Sequence, residues 1–388
     1  MSRAQKIYLL ILSLYVIFDF VLGSLVSLFL WEQTKNIQTI LSYHFFLFLS
    51  IIVFTQFGSH RLQSSTPNSI YSLSIVLGVI QAFLLYLFQH NLSSMIPIIG
   101  FTSGGVIGLQ AVSSGRITQS IQSGDSLRFI SLKSATTNLV ALLTIPILTY
   151  LITHYGTYSF SYILGLVIGV VLILSVRLLP LTRESSSYRP ILAMRNLWSL
   201  PEMRNYIFSR FIYGFFNGPI WAVLGIITFR FVGNLAVWGI ISTLLSLTQI
   251  LGSYFFGKLQ SRQYQISYAV IATLLFGSVT LFLGINWNFI TFMGYQIGLT
   301  LLGITFSLQF ENTTFELLNL DALTSSYQKE IVGLGEICLG LGRLAIIGLL
   351  IVINFNFDNE LYVRLLLLGI ASIPLLISSR QKSAILYT

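Results

Sequence analysis

About twelve long apolar segments follow one another along this chain, each close to the length that a helix needs to cross a bilayer. A spanning helix takes about 20 consecutive apolar residues, because the hydrocarbon core is about 30 Å thick and a helix rises about 1.5 Å per residue. Charged residues make up 9% of the sequence and hydrophobic ones 55%, with a mean hydropathy of +0.83. A fold in water has too little interior to hide so much apolar surface. The chain is therefore expected to be an integral membrane protein. Its apolar runs do not alternate with period two, which excludes a transmembrane β-barrel.

The spans are expected at about 7–30, 37–57, 69–89, 94–114, 134–154 and 159–180, then at about 205–229, 235–256, 266–286, 288–310, 331–354 and 361–379. Between the two sets lies the one long polar stretch, 181–204. The expected organisation is an N-terminal six-helix bundle (1–180), a linker (181–204) and a C-terminal six-helix bundle (205–388). At the start, Arg3 and Lys6 precede an apolar run that is longer than a signal-peptide core and contains Asp19, so a retained first helix is expected. The single cysteine, Cys338, gives no intrachain disulfide and no cysteine-based metal site, and reads as an inert buried thiol.

Orientation follows from the 21 lysines and arginines. Arg210 and Arg343 fall within spans, and Lys35, Arg230 and Arg364 fall in loops on one side. The other sixteen lie on the side of both termini, which places the termini in the cytoplasm and the protein in a bacterial-type cell membrane. The net charge of +9 is dispersed through short loops, which argues for topology and against a nucleic-acid partner.

The two sets of spans look like copies. Phe57-Gly58-Ser59-His60-Arg61-Leu62-Gln63 follows the second span and Phe256-Gly257-Lys258-Leu259-Gln260-Ser261-Arg262 the eighth, with the glycines 199 positions apart. Two parallel six-helix halves are the repeat plan of one large class of transporters. Within the linker, Pro190 and Pro201 bracket a segment that reads either as an amphipathic helix at the membrane surface or as a plain tether.

On these features the chain resembles the major facilitator superfamily over nearly its whole length. The family's loop signature, roughly Gly-x-x-x-Asp-Arg-x-Gly-Arg-Arg, is present in degenerate form at Gly58 and Arg61 and at Gly257, Lys258 and Arg262, without its acidic residue. The resemblance makes these five residues candidates for gating. It also implies a central cavity lined by the first, fourth, seventh and tenth spans. The fifth span keeps Pro146 of a motif similar to that of drug–proton antiporters but none of its glycines, Ala141 and Thr149 standing at the ends of the run.

Ionisable residues inside spans are costly and mark functional positions. Asp19 lies near the middle of the first span, with Gly23, Ser24 and Ser27 in the next two turns. It reads as a proton-binding group, as an attraction for a cationic solute, or as a structural carboxylate. Glu336 and Arg343 share one face of the eleventh span two turns apart, about 10 Å along the axis, too far to pair directly. Arg210, early in the seventh span, reads as a side chain snorkelling to the inner surface. Glu311, Glu316, Asp321, Lys329 and Glu330 read as a solvated loop or as a cytoplasmic gate. In the expected lining helices, Gln110, Tyr213, Asn217, Trp221, Tyr295 and Gln296 give an aromatic and amide-rich wall with few charges. The glycines from Gly100 to Gly108 read first as helix packing.

No enzyme constellation is visible: His44, His60, His90 and His154 are scattered, and no phosphate-binding loop motif occurs. No cofactor is expected. The expectation is a monomeric, proton-coupled secondary transporter that exports a small amphipathic molecule such as a drug, peptide or metabolite. An importer or uncoupled facilitator is the alternative within transport, and a non-transporting sensor or scaffold the alternative outside it.

Overall fold

Local signals set the helix ends. Thr66 accepts from the Ser69 amide ahead of Pro67, and prolines also open the helices at Pro190 and Pro201. These are positions where a missing N–H costs nothing. A computed structural model describes residues 3–89, 91–121, 126–155, 157–179, 188–259, 265–318, 324 and 327–385; along 119–131, 253–270, 306–316 and 374–385 the backbone alone enters the description.

The described residues form an all-helical membrane protein with twelve long helical spans. Spans 1 to 6 are Arg3–Thr34, Ile37–Arg61, Pro67–Leu87, Ile96–Ile121, Ser126–Tyr155 and Ser159–Val176. Spans 7 to 12 are Pro201–Val232, Leu235–Leu259, Gln265–Ile285, Phe289–Leu318, Gln328–Val352 and Glu360–Ile385. Nine of the described helices are long and apolar enough to cross a bilayer, and Ile271–Ile285 and Phe289–Thr305 are shorter apolar stretches.

Three features recur at a spacing of about half the chain. Span 1 is broken by a π-helical turn at Phe20–Ser24, and span 7 by another at Ile220–Leu224, 200 positions later. At the end of span 1, Lys35 takes a left-handed conformation (φ 47°) and Asn36 then accepts from the Gln38 amide at 2.8 Å. At the end of span 7, Gly233 is left-handed (φ 67°) and Asn234 accepts from the Ala236 amide at 2.8 Å. The Phe-Gly pairs that close spans 2 and 8 are the third recurrence. Matching breaks, turns and exits follow from one repeated plan.

By contacts the chain divides into two compact units, Met1–Tyr188 with Trp221–Thr243, and Arg189–Ile220 with Leu244–Thr388. In the first unit, spans 2 and 4 approach through Gly100, Gly104 and Gly108, spaced by four on one helix face. A Cβ would meet the Tyr43 carbonyl at 2.6 Å from Gly100 and the Ile51 carbonyl at 2.8 Å from Gly108, and would run into the Leu47 carbonyl from Gly104. Close packing at small residues drives helix association where lipid and side chains are equally apolar. In the second unit spans 7 and 11 form a seam of the same kind, with Gly214 against the Leu339 carbonyl and Gly342 against the Phe211 carbonyl.

Ahead of span 7, Pro190–Leu197 is a helix packed on the second unit. Ala193 and Leu197 are fully buried in a cluster with Met203, Tyr206, Ile331 and Leu334. Asn196 donates to the Tyr327 hydroxyl at 2.9 Å, and the Arg189 amide donates to Glu330 at 2.8 Å. A plain tether is thereby excluded. Glu330 is 4% exposed, so this residue does not belong to a solvated loop. Among its expected loop companions, the side chains of Glu311, Glu316 and Lys329 and all of Asp321 lie outside the described residues.

Candidate functional site

Asp19 is the last residue of span 1 before its π turn. Such one-residue insertions re-aim the residues around them and are frequent at functional sites. On one side of the helix Phe18 is wedged into a slot, with Gly78 of span 3 only 2.5 Å and Gly169 of span 6 only 3.0 Å from its ring for an added Cβ. One residue on, the Asp19 side chain is exposed, with Oδ1 turned toward Gly23. Tyr15, Tyr43 and Tyr71 lie within electrostatic reach of its charge, from spans 1, 2 and 3, and all three are buried. The Tyr43 hydroxyl donates to Ser103 of span 4 at 3.0 Å, and Gln110 of span 4 approaches Tyr71. The rings of Tyr15 and Tyr71 are 5.7 Å apart. No cation pairs with Asp19 among the described residues.

The second unit holds a different cluster. Arg210 of span 7 lies 3.8 Å from Glu336 of span 11, with its guanidinium 5.5 Å from the centre of the Tyr206 ring. Arg343, 7% exposed, lies two turns along span 11 and shares the electrostatic field of Glu336, Arg210 and Tyr213. Asn217 reaches the Tyr213 hydroxyl. Arg210 therefore turns inward to an ion pair and does not snorkel, because span 11 offers a carboxylate across the glycine seam. The ion pair of Glu336 is with Arg210, and Arg343 feels the charge of both.

Of the residues singled out from sequence, the structure brings Asp19 and Gln110 to one cluster, and Glu336, Arg343, Tyr213 and Asn217 to the other. Trp221 is elsewhere: 44% exposed, 6.2 Å from the ring of Phe48. Tyr295 is fully buried, with ring centres 5.1 Å from Phe276 and 6.3 Å from Phe292, and Gln296 beside it is also buried. Gly58 packs on Leu109 and Arg61 is exposed. Of the second loop signature, Gly257 and Lys258 are described by backbone alone and Arg262 lies outside the described residues. His44 is buried with Nε2 3.1 Å from the Ser27 hydroxyl. Among the described residues no three His, Cys, Asp or Glu side chains gather as for a metal ion.

Sequence reasoning missed Arg210, the three tyrosines around Asp19, and both π turns. The signals available were Gly218-Pro219 before the second turn and the seven-residue spacing of Tyr8 and Tyr15 on one face of span 1. A proline removes a backbone donor and so breaks the regular ladder.

No family model matches the sequence, and no curated protein matches it. Solved structures do. A crystal structure of a point mutant of the nucleoside transporter NupG superposes with a TM-score of 0.70 at 12% identity, over 97% of this chain and 99% of that one. A second NupG crystal structure gives 0.66 at 12% identity over 98% and 99%. Likeness at this identity carries the architecture alone: the chain shares the fold of these structures, a major-facilitator-like arrangement of twelve transmembrane helices in two pseudo-symmetric bundles of six.

Proposed function

We propose that the chain is a secondary transporter that takes up a small, largely uncharged solute rich in hydrogen-bonding groups, nucleoside-like in size and polarity, together with a proton. The observation that carries this reading is Asp19, an accessible carboxylate at the break of span 1 within electrostatic reach of three buried tyrosines. Tyrosine, serine and amide groups around a single carboxylate offer hydrogen bonds and ring faces with little fixed charge, which suits a neutral heterocycle better than an amphipathic cation. The nucleoside transporter named among the similar structures supports the same solute class, and uptake stands in this reading in place of the export expected from sequence.

In this reading the bundles 1–180 and 205–388 expose the Asp19 site alternately on the two sides of the cell membrane, with both termini cytoplasmic and the monomer as the working unit. Asp19 takes a proton while the site faces the acidic side. The neutral acid and the solute cross together, and the proton leaves on the other side. Each cycle moves one proton down its gradient and leaves the carboxylate as it began.

Uptake of tritiated uridine and adenosine into proteoliposomes holding the full chain tests this. The expected result is accumulation above that in protein-free vesicles when the outside is acidic, and its collapse on adding a protonophore. Accumulation that ignores the protonophore would remove the proton from the reading. Accumulation only when the vesicle interior is the acidic side, the solute moving opposite to the proton, would restore export. The absence of exchange with any nucleoside would remove the solute class.

A further inference from the structure

Gln81 is a buried amide with one task. It lies in span 3 with no exposed surface, its Nε2 donates to the Leu22 carbonyl at 2.6 Å, and its Oε1 has no hydrogen-bond partner among the described residues. An amide is costly to place inside an apolar bundle, and one left half-satisfied is costlier still. Leu22 is the middle residue of the π turn in span 1. Such a turn breaks the regular ladder and opens its carbonyls to outside donors. Here the outside donor is Gln81. The second break has a similar arrangement: the indole Nε1 of Trp238 donates to the Gly225 carbonyl, immediately after the π turn of span 7, at 3.0 Å.

The turn matters because both of its flanks are fixed. Before it, Phe18 fills the slot between Gly78 and Gly169. After it, Leu25, Val26, Leu28, Phe29 and Leu30 are all at most 5% exposed, so that segment is encased on nearly every side. One inserted residue turns a helix by about 100°. Asp19 sits between these flanks, and its direction is set by where the insertion lies. We propose that Gln81 is a positioning residue for Asp19: by holding the Leu22 carbonyl it keeps the insertion at Phe20–Ser24, and so keeps the carboxylate on the face of Tyr15, Tyr43 and Tyr71. The proposal shares Asp19 with the transport reading but concerns its placement, and it can be tested without any solute.

Dicyclohexylcarbodiimide modifies carboxyl groups within apolar surroundings, and mass spectrometry of the peptide containing Asp19 reads its rate. The full-length protein in nanodiscs is labelled across pH 5 to 9 as wild type, Gln81→Leu and Gln81→Glu, with Asp19→Asn as the blank. Leucine has the bulk of the amide without its donor, whereas a glutamic acid kept neutral by burial still donates. The expected result is a change of at least about threefold in Asp19 labelling for Gln81→Leu, or a displaced pH profile, with Gln81→Glu on the wild-type curve. Superposition of the Gln81→Leu profile on wild type overturns the proposal, as does an equal change in both variants. If Gln81→Leu does not fold, Gln81→Asn, whose shorter amide cannot reach the carbonyl, is judged by the same two outcomes. Should no nucleoside be transported, the labelling result stands by itself.

Discussion

The two units hold polar clusters of similar materials and opposite balance. In the first, one carboxylate, Asp19, stands among Tyr15, Tyr43 and Tyr71, with no ion pair to it among the described residues. In the second, Arg210 is ion-paired with Glu336 and Arg343 feels the charge of both, again beside tyrosines. Guanidinium groups keep their charge across the physiological range, so Arg210 and Arg343 are fixed charges. The first can change its charge by one proton at one atom pair. The comparison teaches that the repeat has conserved the helical scaffold, with its π turns in spans 1 and 7, while the two halves place their charges on different helices: span 1 in one, spans 7 and 11 in the other.

The largest effect should come from removing the exchangeable charge. Asp19→Asn keeps the shape and the hydrogen-bonding capacity of the side chain. It should cut gradient-driven accumulation of labelled nucleoside at least about tenfold while leaving exchange across the vesicle membrane in place. Full accumulation in Asp19→Asn would end the contrast between an exchangeable and a fixed cluster. Next in size are the seams. Gly104→Ala in the first unit and Gly214→Ala in the second each force a Cβ onto a backbone carbonyl, of Leu47 and Leu339 respectively. Backbone cannot yield as a side chain does, so each should cost about 2–3 kcal/mol, read as a lower melting temperature in detergent. Equal losses at the two sites would show that the seams bear load alike although they join different pairs of spans.

Smaller again is the ion pair. Glu336→Gln takes the carboxylate from Arg210. Breaking a fully buried pair costs several kcal/mol, but at 3.8 Å, with 30% of the Glu336 side chain exposed, solvent takes part of that away. A loss of about 1–2 kcal/mol is expected. A double-mutant cycle with Arg210→Gln separates the pair from the rest. Coupling below about 0.3 kcal/mol would mean that Arg210 and Glu336 are neighbours and not partners.

The fold was legible because hydropathy and loop charge act residue by residue along the chain: a bilayer leaves a helix no alternative, and short loops leave neighbours antiparallel. Asp19, Glu336 and Arg343 were legible for the same reason, as charges interrupting apolar runs. What was not legible depends on partners distant in sequence. Arg210 reads as snorkelling until Glu336, on another helix, is placed against it. Glu330 reads as solvated until the Arg189 amide is seen to need an acceptor. The π turn of span 1 is a single inserted residue inside a continuous apolar run, and an insertion of that size leaves hydropathy unchanged. Only Pro219 marked its counterpart, because a missing N–H is written in the sequence and a displaced hydrogen bond is not.

The smallest expected effect concerns where the chain passes from one unit to the other. Tyr188 is tied to span 2, its hydroxyl donating to Gln56 at 2.8 Å, with Gln63 reaching its carbonyl at 3.2 Å. The next residue, Arg189, is tied to Glu330 through its amide. Glu330→Gln keeps an acceptor of the same reach and removes only the charge, so it should weaken the anchor by about 0.5–1 kcal/mol. Amide hydrogen exchange in Pro190–Leu197 should then speed up by roughly two- to fivefold, since exchange there reports opening of the linker helix from its cluster with Met203, Tyr206 and Ile331. Glu330→Ala removes the acceptor as well and should exceed it. The order matters more than the size. If both substitutions leave exchange unchanged, packing of Ala193 and Leu197 holds the linker helix by itself, and the carboxylate is incidental to the second unit's hold on the chain.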